Sequence, residues 1–137
     1  MQANSSLFLN NYIVNTMRFV YNNHFEFGNH TSIDINPKFR KTIRKIDENS
    51  ASVQLEFFID NNDLSLPFEI EVAIEGIFTL ENWEMEEKKS IMKYNTVAIL
   101  FPYLRSIVTM LTANANVPPY VLPVMNINAL FENGHEN

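Results

Sequence analysis

Residues 67–80 read Pro-Phe-Glu-Ile-Glu-Val-Ala-Ile-Glu-Gly-Ile-Phe-Thr-Leu. Phe68, Ile70, Val72 and Ile74 fall on one side of this stretch, and Glu69, Glu71 and Glu75 fall on the other. Apolar and charged residues that alternate with a period of two describe a β-strand with one face in a core and one in water. Gly76 breaks the pattern and marks either a bulge or a close backbone approach.

Towards the N-terminus the same period returns. Val53, Leu55, Phe57 and Ile59 share a face within 51–60, and Asn61-Asn62-Asp63 predicts a hairpin into the next strand. Residues 38–47 make a poorer strand, in which Phe39 and Ile43 alternate with basic residues. Lys38, Arg40, Lys41, Arg44 and Lys45 hold half of the chain's 10 Lys and Arg. They read as the solvated face of a strand or as an edge guarded by charge, rather than as a nucleic-acid patch. Such a row also attracts acidic polypeptide segments. Within 12–22, Met17, Phe19 and Tyr21 share a face opposite Arg18 and Val20; Asn22, Asn23, Gly28, Asn29 and Asn36-Pro37 then predict a loop.

Past Leu80 the period changes. Residues 84–93 form a short helix candidate with acids before bases, the order that suits a helix dipole. The main helix is expected within 96–113, where Leu100, Leu104, Ile107, Val108 and Leu111 recur three or four apart. Phe101, Tyr103 and Met110 widen its apolar surface beyond one stripe, so a sheet beneath and a second subunit above are expected to cover it. Pro102 has no N–H for the Ala98 carbonyl, which predicts a helix start or a kink there. Asn114, Asn116 and Pro118-Pro119 end the helix, and 126–131 predict a last short one. Residues 1–10 and 132–137 are expected to be frayed. Strands followed by helices in one domain, 1–137, is an α+β pattern.

Composition narrows function by exclusion. A net charge of -6 argues against nucleic acid as the main partner. The chain has no Cys, so disulfides and thiolate metal sites are impossible. His24, His30 and His135 lack ligand spacing, so no metal is expected. Glu84, Glu86 and Glu87 read as a solvated helix start, since general acid/base work needs carboxylates placed across a pocket. With no phosphate-binding or nucleophile-elbow pattern, no cofactor and no enzymatic activity are expected. The N-terminus lacks the basic and apolar regions of a signal peptide, and no run approaches the ~20 apolar residues of a membrane span, so a cytoplasmic protein without membrane insertion is expected.

Four pieces, in order, resemble the SecB family of export chaperones: Glu75-Gly76-Ile77-Phe78-Thr79; Ile99-Leu100-Phe101-Pro102-Tyr103-Leu104-Arg105; Pro118-Pro119; and Asn126-Ile127-Asn128-Ala129-Leu130-Phe131. The resemblance is carried by residues 68–131, and Leu-Phe-Pro-Tyr-x-Arg is its most specific part. It implies a four-stranded antiparallel sheet with a long helix and a short C-terminal helix on one face. It also implies a homotetramer built as a dimer of dimers, with the long helices packed between sheets. The implied activity is ATP-independent holding of unfolded polypeptides, commonly export precursors handed to the motor SecA. Carried over by position, Ile70, Val72 and Ile74 match residues that affect assembly, and Glu69 and Glu71 match the SecA-contacting patch. The other acids of that patch fall at Thr16 and Val20, where this chain departs from the family.

A chain-holding protein needs exposed apolar surface and enough charge to stay in solution. The loop Ile35–Phe39 and the segment Phe78–Tyr94 supply aromatic and thioether side chains, which adapt to varied partners. The client-binding candidates are Ile35, Phe39, Phe78, Trp83, Met85, Met92 and Tyr94, where the family's groove falls. Leu104, Val108 and Leu111, with Ile70, Val72 and Ile74, are the candidates for subunit contact. Two alternatives stand beside a general export chaperone. One is a chaperone dedicated to a single partner such as an antitoxin; the other is an adaptor that keeps the fold without clients.

Overall fold

The computed structural model of the chain describes residues 6–25, 35–61, 65–116 and 127–131. Four antiparallel strands, β1 (Phe8–Tyr21), β2 (Lys38–Asp47), β3 (Ser50–Ile59) and β4 (Phe68–Thr79), form one sheet in the order β1-β4-β3-β2. A π-helical turn, Ile91–Asn95, runs into α1 (Thr96–Asn114), and α2 (Ile127–Leu130) follows. The α+β class, the antiparallel sheet, the long helix and the short last helix are all present as expected.

Register explains the core. Ile70, Val72 and Ile74 pair with Phe19, Met17 and Val14 on one side and with Ile59, Phe57 and Leu55 on the other, so all nine side chains share a face. α1 covers that face with Val97, Leu100, Phe101, Leu104 and Val108, all buried. Gly76 sits under the helix. A Cβ there would come within 2.7 Å of the Phe78 ring, 3.0 Å of Leu100 and 3.1 Å of Leu9, so close approach, not a bulge, explains the glycine.

Several expectations shift. β1 begins at Phe8, so within the stretch expected to be frayed Phe8 and Leu9 pair with β4 and Asn10 donates to the Thr79 hydroxyl at 2.9 Å. Two register irregularities, at Leu9/Asn11 and Val14/Thr16, hide its first half from a period-two reading. Residues 84–88 form turns instead of the expected helix. Asn82 takes φ 54°, and the backbone N–H of Trp83 bonds the Glu48 carbonyl at 3.3 Å, which ties this segment to the β2–β3 turn. The helix passes through Pro102 instead of starting there, and Asn116 closes it with φ 62° and an N–H to the Ala113 carbonyl. Pro118-Pro119 lie outside the described residues. Over Ile91–Asn114 the helix runs 24 residues with mean hydropathy 1.5, a length and composition that the core helix of a folded domain shares with a membrane span. Its packing against β3 and β4 accounts for the apolar content on one side.

Candidate polypeptide-binding surfaces

Beside β2, a seam forms where the strand's helix-side residues meet residues 81–101. Phe39 packs edge-on against Phe57 and Phe101, with ring centroids 5.5 and 6.3 Å apart. Lys41, read from sequence as part of a solvated row, is buried. Its ammonium donates to the Lys93 carbonyl at 3.3 Å and lies 5.5 Å from the Tyr94 ring and 5.0 Å from the Phe131 ring. Aromatic faces stabilise a cation that has left water. Farther along, Lys45 donates to Glu84 at 2.7 Å, a bond that raises the lysine's pKa. Trp83 closes the end, its indole N–H shared between the Asp47 and Ser50 carbonyls at 3.1 and 3.2 Å. α2 caps the middle: Ile127 and Phe131 are buried, and Asn128 donates to the Tyr94 carbonyl at 2.9 Å.

Of the seven residues expected to hold a client, Ile35, Phe39, Trp83 and Tyr94 are half-buried and Met85 is exposed. Phe78 and Met92 are in the core and reach no surface of the single chain. Phe78 shares the helix-side face with Ile74 and turns its ring over Gly76; Met92 lies one turn before α1, where its carbonyl accepts the Thr96 hydroxyl at 2.6 Å. Lys41, expected on a solvated row, and Phe131, expected in the last short helix, belong to this seam as well. The alternation of β2 could have found Lys41, since it places the residue between Phe39 and Ile43 on the helix-side face, opposite Lys38, Arg40 and Arg44.

The sheet face away from α1 is polar. At its centre Glu75 accepts from Asn15 at 3.0 Å, from Arg44 at 3.1 Å and from the Ser52 hydroxyl, which joins all four strands. The Asn15 bond, then Ser52 and then the Arg44 charge hold the Glu75 carboxyl below the usual carboxylate range. Glu69 accepts from Arg18 at 2.6 Å, and Arg40 reaches Glu56 at 3.2 Å while lying 4.8 Å from the Phe58 ring. Glu69 and Glu71, the positions matched to a SecA contact, border with Arg18, Lys38, Arg40 and Asp60 a shallow cleft of about 310 Å³.

The opposite edge of the sheet is apolar. Phe8, Tyr12, Ile13, Val14, Met17 and Val20 of β1 are all exposed. Tyr12 stacks on Tyr103 of α1 with centroids 4.7 Å apart, which makes β1 and the outward side of the helix continuous. Pro102, Arg105, Ser106, Thr109 and Met110 line a shallow groove there, about 470 Å³. Of the residues expected at a subunit contact, Ile70, Val72, Ile74, Leu104 and Val108 are in the subunit's own core, and Leu111 is half-buried at its rim.

A helix-backed sheet with one apolar edge, one cationic edge and an aromatic seam defines a protein built to meet other polypeptides. The comparisons agree with that class. The family model described as preprotein translocase subunit SecB matches residues 12–137. The protein-export protein SecB of Acinetobacter baumannii is 31% identical over 100 residues, 72% of this chain and 66% of that one. The uncharacterized protein MJ0357 of Methanocaldococcus jannaschii is 28% identical over 96% of this chain and 86% of that one. Among solved structures, the Mycobacterium tuberculosis Rv1957 SecB-like chaperone, in complex with a ChAD peptide from the Rv1956 HigA1 antitoxin, shares the fold with TM-score 0.66 at 14% identity, covering 87% of this chain and 90% of that one. The chain belongs to the SecB family, and that membership supports a chaperone role.

Proposed function

We propose that this chain is a cytoplasmic, ATP-independent holdase that binds unfolded polypeptides, precursors for the Sec export pathway among them, and works as a homotetramer. The observation that carries the reading is the family match over residues 12–137 on a fold that, among the described residues, leaves a long apolar edge exposed and an aromatic seam half-buried. Holding a chain costs its conformational entropy, so many adaptable apolar contacts over a long surface suit the task better than one deep pocket. Ile35, Phe39, Trp83, Met85 and Tyr94 supply such contacts along the β2 seam, with Phe78 and Met92 as packed support beneath. In this reading β1 and the outward side of α1 take the neighbouring subunits. Ile70, Val72, Ile74, Leu104 and Val108 act on assembly from inside, by seating the helix; Leu111 acts at the rim.

The test is light scattering of a denatured model protein diluted into buffer without ATP. Addition of the full-length oligomer should suppress aggregation at about one oligomer per client. Undiminished scattering at saturating ratios would overturn the holdase reading.

A second reading, a chaperone dedicated to one partner, is favoured by one observation. Glu69 is engaged by Arg18, and Thr16 and Val20 stand where the family's further acids would be, so of the face matched to SecA only Glu71 is an acid outside the described ion pairs. Direct titration with SecA separates the two. Micromolar or tighter binding supports the export reading, and no binding together with a single co-purified polypeptide supports the dedicated one.

A further inference from the structure

β1 runs 14 residues against the 12 of its partner β4, and both surplus residues are asparagines. The pairing skips Asn10 between Leu9 and Asn11, and Asn15 between Val14 and Thr16. Each skipped residue bonds on the open face. The Asn10 amide donates to the Thr79 hydroxyl at 2.9 Å; the Asn15 amide donates to Glu75 at 3.0 Å and to Gln54 at 3.3 Å. An unpaired extra residue of this kind is a β-bulge, and it re-aims the side chains beyond it.

Register shows what the bulges change. Counted back from Met17 by strict alternation, the helix-side row of β1 would hold Asn15, Ile13, Asn11 and Leu9. The row that faces α1 instead holds Val14, Tyr12 and Leu9, opposite Ile74, Gly76 and Phe78. Two amides and Ile13 give way to a valine and a tyrosine. Tyr12 and Val14 are each 38% exposed and Met17 is 50% exposed, so the subunit's own helix leaves this row partly open. The row joins the outward side of α1 through the Tyr12–Tyr103 stack. Register is firmly set where one face of a strand is apolar and the other polar. β1 exposes Ile13 and Val20 on the open face as well, so its composition separates the two phases less sharply than that of β3 or β4.

We infer that Asn15 is a positioning residue for the contact with a second copy of this chain. Its bulge, held by the bonds to Glu75 and Gln54, sets the phase that turns Tyr12 and Val14 to the helix side. Asn10 holds the other bulge on Thr79, so that Phe8 and Leu9 still pair with β4 beyond it. The inference rests on the reading of β1 and the outward side of α1 as the subunit contact, and names the residue that shapes that contact through Tyr12 and Val14. Without the Asn15 bulge, a one-residue slip carries Tyr12 to the open face, away from Tyr103. Asn11 and residue 15 then enter the row that a partner meets. An amide buried there needs a bonding partner, whereas an aromatic or branched side chain adds apolar area.

The chain has no Cys, so an introduced pair supplies the only two thiols. Directly opposed positions of neighbouring strands lie about 5 Å apart, and positions on opposite faces do not meet. Treated with a short bifunctional thiol reagent, full-length Asn11→Cys/Ile77→Cys should cross-link within the chain, and Tyr12→Cys/Ile77→Cys should not. Adding Asn15→Val should reverse that order. With no Cys introduced, Asn15→Val should weaken assembly about tenfold or more by sedimentation, as expected for loss of an aromatic contact and its burial. Asn15→Gln keeps an amide donor and should keep the parent's cross-link order and mass. A variant lacking residue 15 joins Val14 directly to Thr16 with the phase already set, and it should keep both as well. An unchanged cross-link order in Asn15→Val would overturn the inference. So would loss of assembly in the variant lacking residue 15, which would make the bend of the strand, not its phase, the determinant. A mere loss of stability lowers the urea midpoint without moving a cross-link from position 11 to position 12. The two readings fail separately. A monomeric parent sinks the subunit contact; an oligomeric parent whose cross-link order ignores Asn15→Val keeps that contact and loses this inference.

Discussion

β1 and β2 both end the sheet, yet they are made of opposite materials. β1 runs for 14 residues with Arg18 as its sole charged side chain and a row of exposed apolar ones. β2 places five cations in 10 residues and hides its aromatic residue in the seam. A sheet edge is a template for any strand, its own copies included, and charge is the usual means of refusing a copy. Under the proposed function, the uncharged edge is the one suited to a second subunit and the charged edge the one kept open for a different chain. On that reading one sheet has two addresses without any change of fold.

The largest effect expected from this contrast concerns assembly. Ile13→Lys with Met17→Lys places charge on two exposed β1 positions, one on each face of the strand. In a two-fold contact each introduced charge is repeated on the partner, so four like charges crowd one interface, and like-charge juxtaposition costs several kcal/mol. Sedimentation should show the particle falling apart, with dissociation tighter in the parent by about a hundredfold or more. Thr42→Lys on β2 should leave the mass unchanged. If mass responds to β2 and not to β1, the two addresses are reversed.

Next in size is the seat of α1, on which the β1 side depends. Gly76→Ala drives a methyl group against Phe78 of β4, Leu100 of α1 and Leu9 of β1. The Phe78 contact at 2.7 Å is too short to keep, so a ring or the helix has to shift. Overpacking of this kind costs about 1–3 kcal/mol, read from the urea midpoint. Because Leu9 belongs to β1, the variant should also loosen the oligomer while leaving client contact along the β2 seam intact. A substitution that leaves the urea midpoint unmoved would mean that the helix does not lie so close.

The contrast between the edges was only half visible in the amino-acid order. β3 and β4 are covered by α1 on one face and polar on the other, so Val53 to Ile59 and Phe68 to Ile74 display the period directly. β1 has exposed apolar residues on both faces and two irregularities, which erases the period before Met17. The basic run of β2 was legible as composition, but its layering was not. That Arg40 and Arg44 stand outside Glu56 and Glu75 follows from register, which no local pattern encodes. Burial misled in a related way. Phe78 and Met92 are as apolar as Met85, and only the position of α1 over the sheet decides which of them meets water.

The smallest expected effect tests whether the two edges are mechanically joined through the open face. Glu75 bonds Asn15 of β1, Ser52 of β3 and Arg44 of β2, so one carboxylate holds both ends of the sheet. Its folded-state pKa lies below the usual carboxylate range, chiefly through the Asn15 bond. For a depressed pKa the sign is fixed: the folded state binds the proton less readily than the unfolded chain does. The stabilisation is therefore fully present above the ordinary glutamate range and is lost as pH falls through the folded-state value. Glu75→Gln should cost about 1 kcal/mol near neutrality, in keeping with loss of a charge-assisted bond partly replaced by an amide. The gap between variant and parent should narrow as acid protonates the parent's carboxyl. A gap that stays constant from neutral to acid pH would show that Glu75 acts by shape alone, and the edges would then be coupled only through the backbone ladder of the sheet.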